Sequence, residues 1–170
     1  MRLYEPSVLD QIVLAIIGEK PRHGFAVSKE LERDPSLSAV IRIRRPLIYR
    51  SINSLLDAKL IRETKTEPGD QGSQRVVYTV TASGKLAGTT WLNEVVEHPR
   101  DARIELLAKF VLRSRRNLKN QQLAKRQKKL FEHQATKLQA SANSATDDVR
   151  LVSIWRIENI NAMIRLLDVV

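Results

Sequence analysis

Residues 41–65 read IRIRRPLIYRSINSLLDAKLIRETK. The segment opens on Arg42, Arg44 and Arg45, passes through Pro46, which is favoured in the first turn of a helix, and continues with Ile48, Ile52, Leu55 and Leu56 recurring on one helical face as far as Ala58. It closes on Ile61 to Lys65, a stretch of strand character. It also holds seven Lys/Arg against two Asp/Glu, so the helix is entered through a concentrated positive charge. Charge placed in this way, and not spread over the chain, suits a surface that meets a polyanion.

Upstream, Val8, Leu9, Ile12, Val13, Ile16 and Ile17 repeat at helical spacing, with Ser7 as N-cap and Gly18 placed to end the helix. After Lys20-Pro21, His23-Gly24 leads into a second short helix, Phe25 to Arg33, with Phe25, Ser28 and Leu31 or Glu32 on one face and a stop before Pro35. The helix from Pro46 is then the third. Downstream, Ile61–Lys65 and Arg75–Val80 bracket Glu67–Ser73, whose composition is that of an exposed turn, so a two-stranded hairpin is expected. Three helices followed by a hairpin are the ordered inventory of a winged helix-turn-helix.

Beyond Gly84, turn signals thin out. Leu86–Glu97, Ala102–Leu112, Asn117–Ala140 and Asp147–Val169 read as successive helices, parted near His98-Pro99 and at Ser141–Ser144. The last carries Ile154, Trp155, Ile157, Ile160, Met163, Ile164, Leu166 and Leu167, a wider apolar face than one helix of a small monomer needs, and this asks for a partner. The expected fold is mainly α with a small β-hairpin: a winged helix-turn-helix over residues 1–85 and a helical dimerisation domain over 86–170.

Three motifs resemble those of one family. Leu14 to Leu31, with its apolar helix, Lys-Pro break and His23-Gly24-Phe25, is similar to the run of apolar helix, Pro, His-Gly-Tyr and amphipathic helix in PadR-type transcriptional regulators. Ile48-Tyr49-Arg50-Ser51-Ile52 with Leu55 and Leu60-Ile61 resembles the same family's Leu-Tyr-Arg-x-Leu and closing Leu-Ile. Tyr78 to Gly84 resembles the Tyr-x-x-Thr-x-x-Gly that ends its wing. The sequence departs from the pattern at Lys59, where a glycine usually ends the recognition helix, and at Pro46-Leu47, where small residues are usual, so the operator is not to be borrowed from relatives. The resemblance implies a bacterial, cytoplasmic homodimer that binds double-stranded DNA at a palindromic operator and acts as a repressor, released by a small aromatic or hydrophobic effector.

On that reading Arg42, Arg44, Arg45, Tyr49, Arg50 and Asn53 face DNA, with Arg50 and Asn53 reading bases. Lys65, Gln74 and Arg75 flank the wing tip and reach the neighbouring backbone or minor groove. A solvated basic loop is the plainer alternative for the arginines, core packing for Tyr49, and an ordinary charged hairpin edge for the wing residues. Trp91 and Trp155 are candidates for an effector pocket, with core packing the weightier reading for both. The basic run Arg113 to Lys129 lies in a segment, Asp101 to Ala140, with eleven Lys/Arg against three Asp/Glu, and reads first as a solvated face.

No cysteine is present and the three histidines match no ligand spacing, so neither a metal nor another cofactor is expected. No nucleophile elbow, P-loop, dinucleotide fingerprint or zinc-protease motif occurs, so no enzyme is expected either. No apolar stretch is long enough to span a bilayer, the first apolar run lacks the flanks of a signal peptide, and no membrane association is expected. Two rival functions fit the charge but not the order of elements: a non-specific nucleic-acid-binding protein and a helical protein-interaction adaptor.

Overall fold

The computed structural model describes residues 4–68, 74–143 and 146–170. They form two compact units, Met1–Asn93 and Glu94–Val170, a division later than the 85/86 boundary expected from sequence. Among the described residues no helix is long and apolar enough to cross a membrane.

In the first unit, α1 (Val8–Glu19) starts with a capping box: Ser7 Oγ accepts from the Asp10 N–H, and the Asp10 carboxylate accepts from the Ser7 N–H. Its residues Ile12 to Ile17 are all buried, so α1 is the axis of this core. The helix runs one residue past Gly18, because the break is enforced by Pro21, which pushes Lys20 into extended backbone. A two-residue strand, β1 (Arg22–His23), leads into α2 (Gly24–Arg33), whose N-cap is His23, with Nδ1 accepting from the Ala26 N–H at 3.0 Å. The buried face of α2 is Gly24, Val27, Ser28 and Leu31, an i, i+3, i+4, i+7 set. Phe25, expected on that face, lies about 100° round the helix from it and is only half-buried.

Pro35 does not merely stop α2. It opens an unexpected helix, α3 (Pro35–Val40), capped by Asp34 through the N–H groups of Ser36 and Leu37 at 2.9 Å, and Leu37 joins the core. Next comes α4 (Arg45–Asp57), which buries Ile48, Ser51, Ile52 and Leu55. It ends in a Schellman motif, with the N–H of Lys59 on the Leu56 carbonyl and the N–H of Leu60 on the Leu55 carbonyl, both at 2.9 Å. Lys59 takes the left-handed conformation, φ 57°, that the motif requires.

The sheet has three strands, not the two expected. β2 (Ile61–Pro68) and β3 (Gln74–Val80) pair antiparallel, and β1 pairs with the other edge of β3, giving the order β1-β3-β2. Two residues are too few for a sequence periodicity, so β1 was invisible. Ile61 faces Val80 and Pro68 faces Gln74, with a bulge between Glu63 and Lys65. The turn expected over Glu67–Ser73 falls largely on residues 69–73, outside the described residues.

Thr81 closes this unit. Its Oγ1 accepts from the Gly84 N–H at 3.1 Å, capping α5 (Ala82–Asn93), and donates to the Lys59 carbonyl at 2.8 Å, while its own N–H donates to the Leu60 carbonyl at 3.0 Å. The cap explains why this helix starts earlier than Leu86. Gly84 is needed because a Cβ there would lie 1.8 Å from the Leu60 carbonyl oxygen.

The second unit holds α6 (Pro99–Ala102), α7 (Glu105–Arg115), α8 (Gln121–Ala142) and α9 (Asp147–Leu167). Asn117, expected to begin a helix, instead terminates α7 at φ 57°, with the same pair of Schellman bonds as at Lys59. Val96, Ala102, Leu106, Phe110, Leu123, Phe131, Ile160 and Leu167 form the core. Fully buried Gln127 bonds both backbone groups of Val96, accepting from its N–H at 2.6 Å and donating to its carbonyl at 2.8 Å. Lys109, also fully buried, meets Glu105 at 2.7 Å and the Glu94 carbonyl at 2.9 Å. α9 packs along α8, and Lys128 donates to Asp168 near its end. Only part of the broad apolar face of α9 is buried: Leu151 is 70 % and Trp155 65 % exposed.

Candidate nucleic-acid interface

One side of α4 is spent on the core, and that choice dictates what the other side presents. With Ile48, Ser51, Ile52 and Leu55 inward, Arg45, Tyr49, Arg50 and Asn53 are all exposed, and Arg42 and Arg44 are exposed on the segment leading in. Among the described residues, Arg42, Arg44 and Arg50 have no carboxylate partner. Arg44 is the residue at the N-cap position and offers no side-chain cap, so the first N–H groups of α4 carry the positive end of the helix dipole beside the arginines.

α4 is anchored from behind. Ser51 Oγ donates to Asp10, the carboxylate that also caps α1 and accepts from the Tyr4 hydroxyl at 3.0 Å. Burial, reinforced by the Asp10 charge and hydrogen bond, pushes the Tyr4 hydroxyl well above its usual range. Neither Asp10 nor Ser51 was expected to matter for the site. An acid three residues after an N-cap Ser announces a capping box, but nothing local announces that its second oxygen reaches α4.

Tyr49 combines both roles considered for it. A Cβ on Gly24 would come within 2.6 Å of its Cε1, so the ring packs on a gap that only glycine leaves, while the residue stays 41 % exposed. The His-Gly pair is thus physically legible: His23 caps α2 and Gly24 admits the tyrosine.

On the wing, Lys65, Gln74 and Arg75 lie on the paired strands, with Gln74 opposite Pro68 and Arg75 opposite Glu67. Lys65 and Gln74 are exposed. Lys65 is engaged by Glu67 at 2.7 Å, and that ammonium hydrogen bond holds the Glu67 carboxyl below the usual carboxylate range.

Arg45 and Arg75, from helix and wing, are brought together on an unexpected residue. Their guanidinium carbons lie 4.9 and 4.8 Å from the centroid of the Phe25 ring, and Lys29 Nζ lies 4.5 Å from it. Sequence reasoning missed Phe25 and Lys29, because their relation to Arg45 and Arg75 exists only after folding. Beside the ring is an open hollow of about 490 Å³, lined among others by Arg22, Lys29 and Arg33. Arg22 is committed to Glu30 at 2.5 Å and Glu19 at 3.2 Å.

The two tryptophans differ. Trp91 is 6 % exposed within α5, in the first unit, whereas Trp155 on α9 is largely exposed, against the expectation of core packing. Among the described residues no group of acidic, histidine or cysteine side chains is arranged to hold a metal ion.

Residues 13–89 match the family described as "Transcriptional regulator PadR-like family". No curated protein matches the sequence. Among solved structures, the chain is similar to Bacillus subtilis PadR, crystallised in complex with operator DNA, at 20 % identity and TM-score 0.50, over 95 % of this chain and 96 % of that one. Two further likenesses are smu.1604c of Streptococcus mutans UA159, at 17 % identity and TM-score 0.43 over 94 % and 95 %, and the PadR-like regulator BC1756 of Bacillus cereus, at 14 % and 0.41 over 94 % and 93 %.

Proposed function

From the match of residues 13–89 to the PadR-like transcriptional-regulator family, we propose that the chain binds double-stranded DNA as a homodimer, with α4 of each protomer in the major groove of a palindromic operator. The observation that carries this reading is the exposed face of α4: Arg42, Arg44 and Arg50 unmatched by acids among the described residues, Asn53 one turn beyond Arg50, and the dipole of the helix pointing the same way. Arg50 and Asn53 read base edges, the first suited to guanine O6 and N7 and the second to adenine. Arg42, Arg44, Arg45 and Tyr49 hold phosphates, and Arg75, Lys65 and Gln74 extend the contact along the wing. A Bacillus subtilis PadR of similar fold was crystallised on operator DNA, and the same docking is proposed here.

The exposed apolar part of α9, Leu151, Ile154 and Trp155 with Val149 and Val152, is the surface on which two protomers pair. Two recognition helices then sit about one DNA turn apart, roughly 34–36 Å, and the operator is a palindrome with that spacing. Bound at a promoter in the bacterial cytoplasm, the dimer represses by occlusion. A small aromatic or hydrophobic effector releases it by favouring a second dimer conformation, and of the two tryptophans Trp155, which lies at that pairing surface, is the one placed to stack on it.

The test is binding to a duplex from the protein's own upstream region against a scrambled duplex of equal length, at about 150 mM salt. A strong preference for the native duplex is expected, and Arg50→Ala should reduce that preference about tenfold to a hundredfold, the discrimination of one bidentate base contact. Equal, weak, steeply salt-dependent binding to both duplexes would instead identify a non-specific nucleic-acid binder, and no binding an adaptor.

A further inference from the structure

We propose that the outer face of α8 is a second DNA-contacting surface, one that holds the phosphate backbone of the duplex flanking the operator. This rests on the DNA-binding reading above and gives a part to the basic run that the reading leaves unused. The buried side of α8 is centred on Gln127 and Phe131. On the opposite side of the helix stand Gln122, Lys125, Arg126, Lys129, His133 and Lys137, all exposed. From Lys125 to Lys137 the helix rises about 18 Å, and a duplex of that length carries about ten phosphate charges.

A solvated helix face is steadied when acids alternate with its lysines, because neighbours at i, i+3 and i, i+4 then attract. This face lacks that alternation. Lys125 has Gln121, Gln122, Lys128 and Lys129 at those positions, and Lys137 has His133, Gln134, Ala140 and Ser141. Glu132, the acid of α8, stands at the margin of the face with Lys128 at 3.8 Å, and Lys128 is also committed to Asp168. Among the described residues Lys125, Lys129 and Lys137 have no carboxylate at ion-pair distance. Lys125 and Lys129, one turn apart, therefore repel each other, and an outside anion relieves that repulsion. Duplex DNA fits the face better than an anionic bilayer does. Leu130 and Leu138 pack against the core, and α8 has no large apolar side chain among the exposed ones with which to enter a lipid interface. Lysines, compact charges on flexible stems, grip phosphates without reading sequence.

The full-length chain is compared as wild type, as the triple variant Lys125→Gln, Lys129→Gln and Lys137→Gln, and as the corresponding triple Lys→Arg variant, with thermal melts alongside. Glutamine is a good helix former, and all three sites are exposed, so the fold is expected to persist. The native upstream duplex is trimmed to the shortest length that is still preferred over a scrambled one, then extended by about two helical turns on each side with native or scrambled flanks. The wild type is expected to gain about tenfold in affinity from either kind of flank at low salt, and to lose the gain as salt rises. The glutamine variant should bind the trimmed duplex as the wild type does, show no gain from flanks, and have a salt slope on the extended duplexes lower by about two to three, the signature of lost phosphate contacts. The arginine variant should recover both. Four results would overturn the proposal and leave operator binding intact: no gain from flanks in the wild type, a gain that survives in the glutamine variant, equal losses on trimmed and extended duplexes, or wild-type binding to phosphatidylserine vesicles that the glutamine variant loses while its DNA binding is unchanged. A wild-type chain that prefers no native duplex over a scrambled one would overturn the operator-binding reading, and this inference with it.

Discussion

At position 84 a hydrogen stands where any other residue would carry a carbon 1.8 Å from the Leu60 carbonyl oxygen. That oxygen is the hinge between α4 and α5, since it accepts the Thr81 N–H. Gly84→Ala must therefore pry the first turn of α5 from the end of α4. We expect a loss of about 3 kcal/mol or more, at the upper end of what overpacking costs, read as a fall in the urea midpoint. Lys59, one residue before Leu60, shows a milder conflict. Its left-handed backbone costs roughly 1 kcal/mol that a glycine would avoid, and the Schellman bonds hold it there regardless. The spacing Thr81-x-x-Gly84 was legible as a motif before its reason was. Its meaning is a cap that also clasps the preceding helix, and the clasp joins residues too distant in sequence for any local pattern to reveal it.

Elements with a strong 3.6-residue period were readable from their residues alone: α1, α4 and α9 lie close to where the apolar positions put them, while α8 begins four residues later than expected. The shortest were not. α3 hides behind a proline that looks like a stop, and β1 has no period at all. The faces of short helices were also ambiguous, as Phe25 and Val27 show, because ten residues admit two neighbouring stripes. Of the candidate interface, the exposed arginines of α4 followed directly from which side of that helix is apolar, whereas the Phe25 cluster required three elements to meet. How α4 is held follows the same division, for its anchor is the Ser51 hydroxyl on Asp10, a bond across 41 residues of sequence. Ser51 is 3 % exposed and Asp10 7 %, so water does not easily take the place of the lost donor. Ser51→Ala is expected to destabilise the first unit by about 1.5–2 kcal/mol, as for a buried hydrogen bond to a charged group, measured by denaturant unfolding.

For the whole molecule, the net charge of +10 favours approach to any polyanion, and the arrangement of α4 and the wing is what would make the approach productive. The proposed self-association is assigned to the second unit. Trp155→Glu puts a charge in the middle of the exposed apolar face of α9, and its burial against a second copy would carry a desolvation penalty of several kcal/mol. Light scattering is expected to show a dimer for the wild type and a monomer for the variant, with self-association weakened more than about a hundredfold. A variant that still forms the wild-type dimer would place the pairing surface elsewhere. The division into two units, each with its own core, has a thermodynamic consequence. If the two cores unfold independently, the chain has no single free energy of unfolding, and calorimetry is expected to resolve two transitions. The consequences of Gly84→Ala appear in the melting of residues 1–93. If α9 pairs as proposed, mass action makes the melting of residues 94–170 the one that moves with protein concentration, so dilution alone tells the two transitions apart.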